Sequence, residues 1–267
     1  MHVLARFEHL RGSPRAALFL WKALSLSVVL CLISAGPIAV MRPRPLPLLP
    51  GVPVTVLAVL GSLGVLIHLA THGHHVDARI RTARAAHRDL VDLVARHEDE
   101  RTRVMPSDRL SAYCVPGAGN RLVITEAALT SLPSEQLAAI VAHEEAHLRE
   151  RHDLTLEYFT VLHTAAPRRL RTDAALSEMA LLVEVLADRA AADEVGEVAL
   201  ARAIAALSEA AVVETELPGF SSGAGAAATR IRLLVADDAP VVQALALYAS
   251  GIIALVLPPV LALLVVA

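Results

Sequence analysis

The chain of 267 residues is 55% hydrophobic but only 3% aromatic, and its formal net charge is -3. With a mean hydropathy of +0.55, this composition is too apolar for a single soluble domain, so we expect part of the chain to lie in lipid. The charge balance and the absence of a basic block in the sequence argue against direct nucleic-acid binding.

Three stretches of the sequence are long and apolar enough to cross a bilayer. They are residues 23–40, 52–70 and 241–267, none of which contains a charged side chain, and a spanning helix needs about 20 residues. No small-x-small cleavage site follows Gly36-Pro37, so the first stretch is not typical of a cleaved signal peptide. The alternative, buried helices of a soluble protein, is disfavoured by the lengths. We therefore predict an integral membrane protein with about three transmembrane helices.

Basic residues near the ends of these stretches predict the orientation. Arginines are frequent before the first stretch and after the second, whereas the loop between them carries only Arg42 and Arg44. By the positive-inside rule, the N-terminus and the central region are predicted to be cytoplasmic, which places the protein in the inner membrane. The predicted domains are an N-terminal region with two transmembrane helices (1–70), a cytoplasmic domain (71–240) and a C-terminal transmembrane helix (241–267).

The first half of the cytoplasmic region contains one helical and one β pattern. Residues 77–103 have apolar side chains at helical spacing among charged ones, which predicts an amphipathic helix. Residues 110–115 and 121–125 are short β-rich runs around a Pro-Gly turn, and they predict a hairpin, the only sheet signal in the sequence.

The second half of this region is predicted to be helical. A helix follows Pro133, with Ser134 as its cap, acidic residues in its first turn and arginines in its last. Further helices are predicted over about residues 172–193 and 198–214. A flexible loop of small residues at 217–228 then precedes a last helical stretch with Arg230 and Arg232.

An H-E-x-x-H motif, His143-Glu144-Glu145-Ala146-His147, lies on the helix that follows Pro133. Positions four apart share one helix face, so both imidazoles can point at one metal ion while Glu144 is close enough to polarise a bound water. Unpaired charged groups are costly where such a helix is buried. The motif therefore predicts a metal site.

A third ligand is expected on a separate element, because catalytic zinc takes three protein ligands and leaves a fourth position for water. Glu184 and Asp188 are four residues apart, and Glu184 lies in an otherwise apolar stretch where its carboxylate needs a partner. Asp188 is then placed to accept a hydrogen bond from a ligand histidine. The alternative is that Glu184 pairs with Arg189 or another arginine.

Other histidines carry weaker predictions. His72, His74 and His75 follow the second span and could bind a second metal, although juxtamembrane histidines are more often interfacial. His152 is expected to face a different side of the motif helix from His147 and to form a hydrogen bond instead of ligating a metal.

The stretch from residue 111 to 154, followed by E-V-L-A-D-R-A-A from residue 184, resembles the membrane-embedded gluzincin metallopeptidases. The resemblance is closest to the BlaR/MecR type and more distant to the HtpX and CAAX prenyl protease type. It implies one zinc per chain, with His143, His147 and Glu184 as ligands, Glu144 as the general base and Asp188 as a supporting residue. The BlaR/MecR-type receptors continue into an extracellular penicillin-binding domain, whereas this sequence stops at Ala267, so β-lactam sensing of that kind is not expected.

Two departures from the family pattern leave the oxyanion stabiliser open. Related proteases often have an Asn-Ala pair on the edge strand where this sequence has Ser111-Ala112, and the histidine expected before the last helix is absent from residues 221–234. The candidates are Arg230, Tyr158 and His163, because each side chain can donate a hydrogen bond to a developing oxyanion.

The expected function is that of a membrane-bound zinc endopeptidase. The strand that contains Ala112 and Tyr113 is expected to pair with the backbone of a cytoplasmic or membrane-proximal polypeptide. By resemblance, a DNA-binding repressor is the leading substrate, and damaged membrane proteins are next. The alternative is a non-hydrolytic membrane adaptor in signalling, with or without zinc. The intact Glu144 argues against an adaptor, since a pure binding site needs no general base.

Overall fold

The computed structural model describes residues 8–41, 51–117, 119–214, 222–237 and 239–266. The chain divides into two compact units, whereas the predicted domain boundaries at residues 70 and 240 stay a prediction. The spanning unit consists of His9–Val76, Val161–Arg171 and Asp238–Ala267, and the sheet unit consists mainly of Asp77–Thr160 and Thr172–Asp237.

The described residues are mainly helical and include one small sheet, which confirms the predicted fold class. Short 3₁₀ turns lie at Glu8–Gly12 and Arg168–Leu170. In chain order the helices are α1 (Pro14–Met41), α2 (Gly51–Val94), α3 (Glu126–Ser131), α4 (Ser134–Arg149), α5 (His152–Ala165), α6 (Asp173–Val195), α7 (Glu197–Glu214), α8 (Ser222–Leu234) and α9 (Val241–Val266), and the strands are β1 (Arg96–His97), β2 (Thr102–Met105), β3 (Ala112–Val115) and β4 (Arg121–Thr125).

Helices α1, α2 and α9 are each long and apolar enough to cross a membrane, which confirms the three predicted spans. In the spanning unit, α1 and α9 run in the same direction, because Gly12 lies beside Ala239 and the Phe19 ring lies 5.3 Å from that of Tyr248. Ser62 of α2 accepts a hydrogen bond from the Gly36 N–H and donates one to the Leu32 carbonyl, so the first part of α2 lies beside the second half of α1.

The sheet unit contains a four-stranded sheet in the order β1-β2-β4-β3. Strands β3 and β4 pair antiparallel, which confirms the predicted hairpin. Strand β4 also pairs in parallel with β2, and β2 pairs antiparallel with β1, so the hairpin is only half of the sheet. Strand β3 lies at one edge, and α4 packs against it.

The amphipathic helix predicted for residues 77–103 is wrong in its last third. Helix α2 ends at Val94, and residues 96–97 and 102–105 are strands. The Asp99 carboxylate accepts hydrogen bonds from the backbone N–H groups of Arg101 and Thr102, both at 2.7 Å. This local turn gives the backbone an alternative to the helical hydrogen bonds and starts β2.

Three other expectations about helices need correction. Helix α4 begins at Ser134, so Ser134 is its first residue and not its cap. Pro133 occupies the cap position and forms no side-chain hydrogen bond there. The loop expected at residues 217–228 is helical from Ser222 onward, consistent with the high helix propensity of its alanines; residues 217–221 lie outside the described residues. Helix α5, which was not predicted, begins at His152 after Arg151 adopts a positive φ of 52°.

The core of the sheet unit surrounds α4. Most of its buried residues come from β4, α4 and α7, with others from α3, α6 and α8, and α6 also packs against α4. Because the core holds α4 between the sheet and two helices, the side chains of its second half have fixed positions relative to β3 and α6. The buried core residues on β4, α4 and α7 include Leu122, Ile124, Ala139, Ile140, Ala142, Leu200, Ala203 and Ile204.

Candidate metal centre

The two motif histidines point to the same side of α4. Their Nε2 atoms lie 3.1 Å apart, and their ring centroids are 4.7 Å apart. His143 is buried and His147 is partly buried. The four-residue spacing on a helix accounts for this arrangement, which leaves both Nε2 atoms available to bind one metal ion.

Glu184 of α6 completes a group of three possible metal ligands. Its Oε2 lies 3.5 Å from Nε2 of His143, and its Oε1 lies 3.5 Å from Nε2 of His147. Two nitrogens and one carboxylate oxygen form a donor set that zinc accepts, and ligands bound tetrahedrally at about 2.1 Å are about 3.4 Å apart. The two histidines approach different oxygens of Glu184, and one ligand atom from each residue lies within 4.8 Å of the others, so the group could hold one metal ion. Among the described residues, this is the one such group.

Asp188 lies behind His143, one helical turn after Glu184. Its Oδ1 is 2.9 Å from Nδ1 of His143, and its side chain is only 1% exposed. Asp188 therefore lies next to a motif histidine, as the sequence predicts. A carboxylate in this position fixes the ring orientation of the histidine and leaves its Nε2 free to ligate a metal.

Arg230 of α8 joins both carboxylates of α6. Its Nε and Nη2 donate to Asp188 at 2.8 and 2.6 Å, and its Nη1 lies 2.9 Å from Oε2 of Glu184. Glu184 therefore faces the two histidines and an arginine at once, and that arginine is Arg230, not Arg189. The two hydrogen bonds from Arg230 to Asp188 are bidentate, which makes this ion pair strong and fixes its orientation.

His152 stands behind His147, although it does not belong to α4. The positive φ of Arg151 reverses the chain, so α5 returns and places the Nδ1 of His152 3.1 Å from that of His147. The expected hydrogen bond is thus present, but the expected placement on a different side of the same helix is wrong. When Nδ1 of His147 donates, His152 accepts, and the Nε2 of His147 carries a lone pair for a metal.

Glu144 points toward the sheet. Its Oε2 accepts a hydrogen bond of 2.9 Å from the backbone N–H of Cys114 on β3. Burial raises the pKa of Glu144, with a further contribution from the negative charge of Glu184, while His143 and the Cys114 bond oppose the rise. A carboxyl group with a raised pKa is better able to take up a proton at neutral pH.

The two carboxylates and His147 have charges that suit a cation, whereas His143 must lose a proton before its Nε2 can bind one. Burial lowers the pKa of His147 to about 4. Burial also acts to lower the pKa of His143, but hydrogen bonding to Asp188 and Glu184 raises it to about 9. For Glu184 and Asp188, burial acts to raise the pKa, yet bonding to His143 and Arg230 holds it below the ordinary value. Both carboxylates therefore remain ionised.

A cavity of about 340 Å³ opens beside these groups. Its lining combines these polar groups with apolar side chains. Of the oxyanion candidates, Arg230 lines the cavity, Tyr158 is not among the described residues that line it, and His163 belongs to the spanning unit. The lining residues are Cys114, Pro116, Ile140, His143, Glu144, His147, Leu148, Asp153, Leu156, Glu184, Leu200, Ala203, Ile204, Leu207 and Arg230.

A second metal site at the juxtamembrane histidines, the less favoured interpretation of the sequence, is not seen among the described residues. Among the described residues, no group of possible ligands includes His72, His74 or His75. The Nε2 of His72 instead lies 2.9 Å from the hydroxyl of Thr164, and the rings of His74 and His75 contact each other at 6.1 Å.

Comparison with known proteins agrees with the geometry. The model of peptidase family M48 matches residues 77–211, just over half of the chain, and this range holds His143, His147, Glu184 and Asp188. No curated protein and no solved structure matches the chain. The family match supports the predicted class of membrane-type zinc metallopeptidase without distinguishing the BlaR/MecR type from the HtpX type. With three helices that can cross a membrane and a group of three possible metal ligands, the chain belongs to peptidase family M48.

Proposed function

We propose that the protein is a membrane-bound zinc endopeptidase. The observation that supports this proposal best is the convergence of three ligand atoms within 4.8 Å of one another, next to Glu144 in an open cavity. In this proposal His143, His147 and Glu184 hold one zinc per chain. When bound, zinc supplies Lewis-acid polarisation of a water molecule and of the scissile carbonyl.

Glu144 is proposed as the general base. The Cys114 N–H fixes Oε2 of its carboxylate, and the other oxygen takes a proton from the attacking water and delivers it to the leaving amine. Burial raises the pKa of Glu144, which strengthens it as a proton acceptor. An amide in its place could not accept this proton.

Arg230 is proposed to position the site. Three of its five N–H groups are directed at Asp188 and Glu184, so its first effect is to hold the two carboxylates of α6 in place. The two remaining N–H groups can donate to a developing oxyanion. Tyr158 and His163 stay predictions for that role.

The substrate is proposed to add a strand to the free edge of β3. The Cys114 N–H points away from β4, toward Glu144, and residues two apart in a strand present their backbone groups to the same edge. The backbone of Ala112 is therefore available to a substrate strand. Tyr113, the next residue of β3, is proposed to contact the substrate as well. Its hydroxyl lies 3.1 Å from Nε2 of His87.

Cleavage of a general protein substrate tests the proposal. The purified full-length protein is expected to degrade casein or itself, to stop when a zinc chelator is added and to recover when zinc is restored, because the metal supplies the Lewis acid. The measurement is the rate at which peptides appear. A protein that binds zinc but produces no peptides at any zinc concentration would be the non-hydrolytic adaptor.

The natural substrate is proposed to be a cytoplasmic or membrane-proximal polypeptide, with a DNA-binding repressor as the leading candidate. The support is the resemblance of residues 111–154 to regulatory membrane peptidases, together with the arginine asymmetry around the spans. A Glu144→Gln variant that binds substrate without cleaving it can capture the polypeptide for identification.

The proposed orientation makes a separate prediction. A reporter that is active only in the cytoplasm is expected to be active when fused after Arg103, and a reporter that requires export is expected to be active when fused after Ala267, because the arginines keep the central region inside. Activity of the two fusions is the measurement. Export-dependent activity after Arg103 would contradict both the orientation in the inner membrane and the cytoplasmic substrate.

A further inference from the structure

A basic segment with an exposed leucine lies in the spanning unit, after α5. Its sequence is Arg168-Arg169-Leu170-Arg171, and all four residues are exposed, with Leu170 at 74%. None of the ion pairs between described residues involves Arg168 or Arg169. We call these four residues the RRLR segment.

Two contacts place the end of α5, just before the RRLR segment, beside the second span. The Nε2 of His68 lies 3.0 Å from the carbonyl oxygen of Ala165, and the Nε2 of His72 lies 2.9 Å from the hydroxyl of Thr164. His68 is near the end of the charge-free stretch 52–70, and each helical residue advances only 1.5 Å. Thr164 and Ala165 are therefore level with the end of the span, where hydrocarbon gives way to headgroups.

Arg171 anchors the turn that contains the RRLR segment. Arg171 donates to the carbonyl oxygens of Ala166 and Thr164 at the end of α5, and the Leu170 N–H donates to the carbonyl of Pro167 at 2.8 Å. Arg171 is thus used to hold the turn. Arg168 and Arg169 keep their guanidinium groups for another partner, with Leu170 beside them.

The chemistry of this surface matches a lipid surface. An arginine near an anionic leaflet is attracted to phosphate, which is worth about fivefold in affinity for each side chain. An exposed leucine gains by leaving water for acyl chains, which lie next to phosphates at this depth. An acidic polypeptide would satisfy the arginines, but it would not account for an exposed leucine at the end of a span.

We propose that Arg168, Arg169 and Leu170 form a binding surface for the headgroups of anionic phospholipids, with Leu170 inserted among the upper acyl carbons. The surface holds the turn after α5 to the membrane independently of any peptidase activity.

Fluorescence quenching in vesicles tests this proposal on the full-length chain. A Leu170→Trp variant is placed in vesicles of phosphatidylcholine and phosphatidylglycerol in which one lipid or the other carries bromine on its acyl chains. The parent protein, which retains Trp21, supplies the background to subtract. The new tryptophan is expected to be quenched by both lipids and several-fold more by brominated phosphatidylglycerol.

Charge variants then separate a local site from the net charge. In the Leu170→Trp background, Arg168→Gln and Arg169→Gln are each expected to lower the several-fold preference for phosphatidylglycerol, and the double variant is expected to abolish it. The matched control combines Arg149→Gln and Arg202→Gln, which remove two exposed arginines of the sheet unit and are expected to leave the preference unchanged. Thermal melting of each variant checks that it is folded.

Three results would overturn the proposal. The first is a tryptophan at position 170 that neither lipid quenches, which would place Leu170 in water. The second is a preference that survives both arginine substitutions. The third is an equal fall in the control variant, which would mean that overall charge and not the RRLR segment attracts the lipid.

Discussion

Replacing Glu144 with glutamine is expected to abolish peptide cleavage while the protein still binds about one zinc per chain. The side chain accepts a hydrogen bond from Cys114 and lies outside the group of three possible ligands, so its removal leaves the metal ligands in place. The amide cannot accept the proton of water, and loss of a general base lowers the rate by about 10²-fold to 10⁴-fold. The measurement is elemental analysis beside a casein cleavage assay on the same preparation.

The neighbouring glutamate supplies the matched control for this variant. Glu145→Gln makes the same chemical change one residue later, but Glu145 is not among the described residues that line the cavity. It is expected to keep both zinc and cleavage. Full activity of the Glu144→Gln protein would contradict the assignment of Glu144 as base, and loss of zinc from it would mean that this carboxylate helps to bind the metal.

Removing any one of the three proposed ligands is expected to deplete the metal. The variants His143→Ala, His147→Ala and Glu184→Ala each leave only two of the three convergent donor atoms, which is fewer than the three protein ligands of a catalytic zinc site. Zinc content of the purified protein should fall sharply, and cleavage should fall with it. Elemental analysis before and after dialysis measures the loss.

A graded effect is expected for the residue behind His143. Asp188→Asn keeps the shape of the side chain and removes the charge that orients the imidazole at 2.9 Å, for which a loss of about 10-fold to 100-fold in zinc affinity or activity is typical. Glu194→Ala on the exposed face of α6 is the control and should change neither quantity. A Glu184→Ala protein that retains full zinc would overturn the ligand set.

Features set by local periodicity could be predicted from the sequence. The three spans are uninterrupted apolar stretches, and each corresponds to a helix in the structure. The alignment of His143 with His147 follows from four-residue spacing on one helix. The β3-β4 hairpin was also predictable, because a Pro-Gly turn joins two adjacent runs of β-forming residues.

Features set by contacts between distant segments could not be predicted in this way. Strand β1 has two residues and β2 has four. Strand β2 pairs directly and in parallel with β4, although β3 lies between them in the sequence. Such short runs carry no periodic signal, and the pairing depends on the fold of the residues between them. The Asp99 turn between β1 and β2 is held by hydrogen bonds to a side chain, which a pattern of apolar residues does not register.

The sequence by itself determined that this is a membrane protein and that one of its helices offers two imidazoles and a glutamate, because each of these properties depends on residues within a single helix. Only the tertiary structure decided which groups surround them. Arg230 reaches Asp188 across 42 positions of the chain, and His152 reaches His147 because the backbone reverses at Arg151. These contacts form where separate helices pack into one core, and no spacing along the chain specifies that packing.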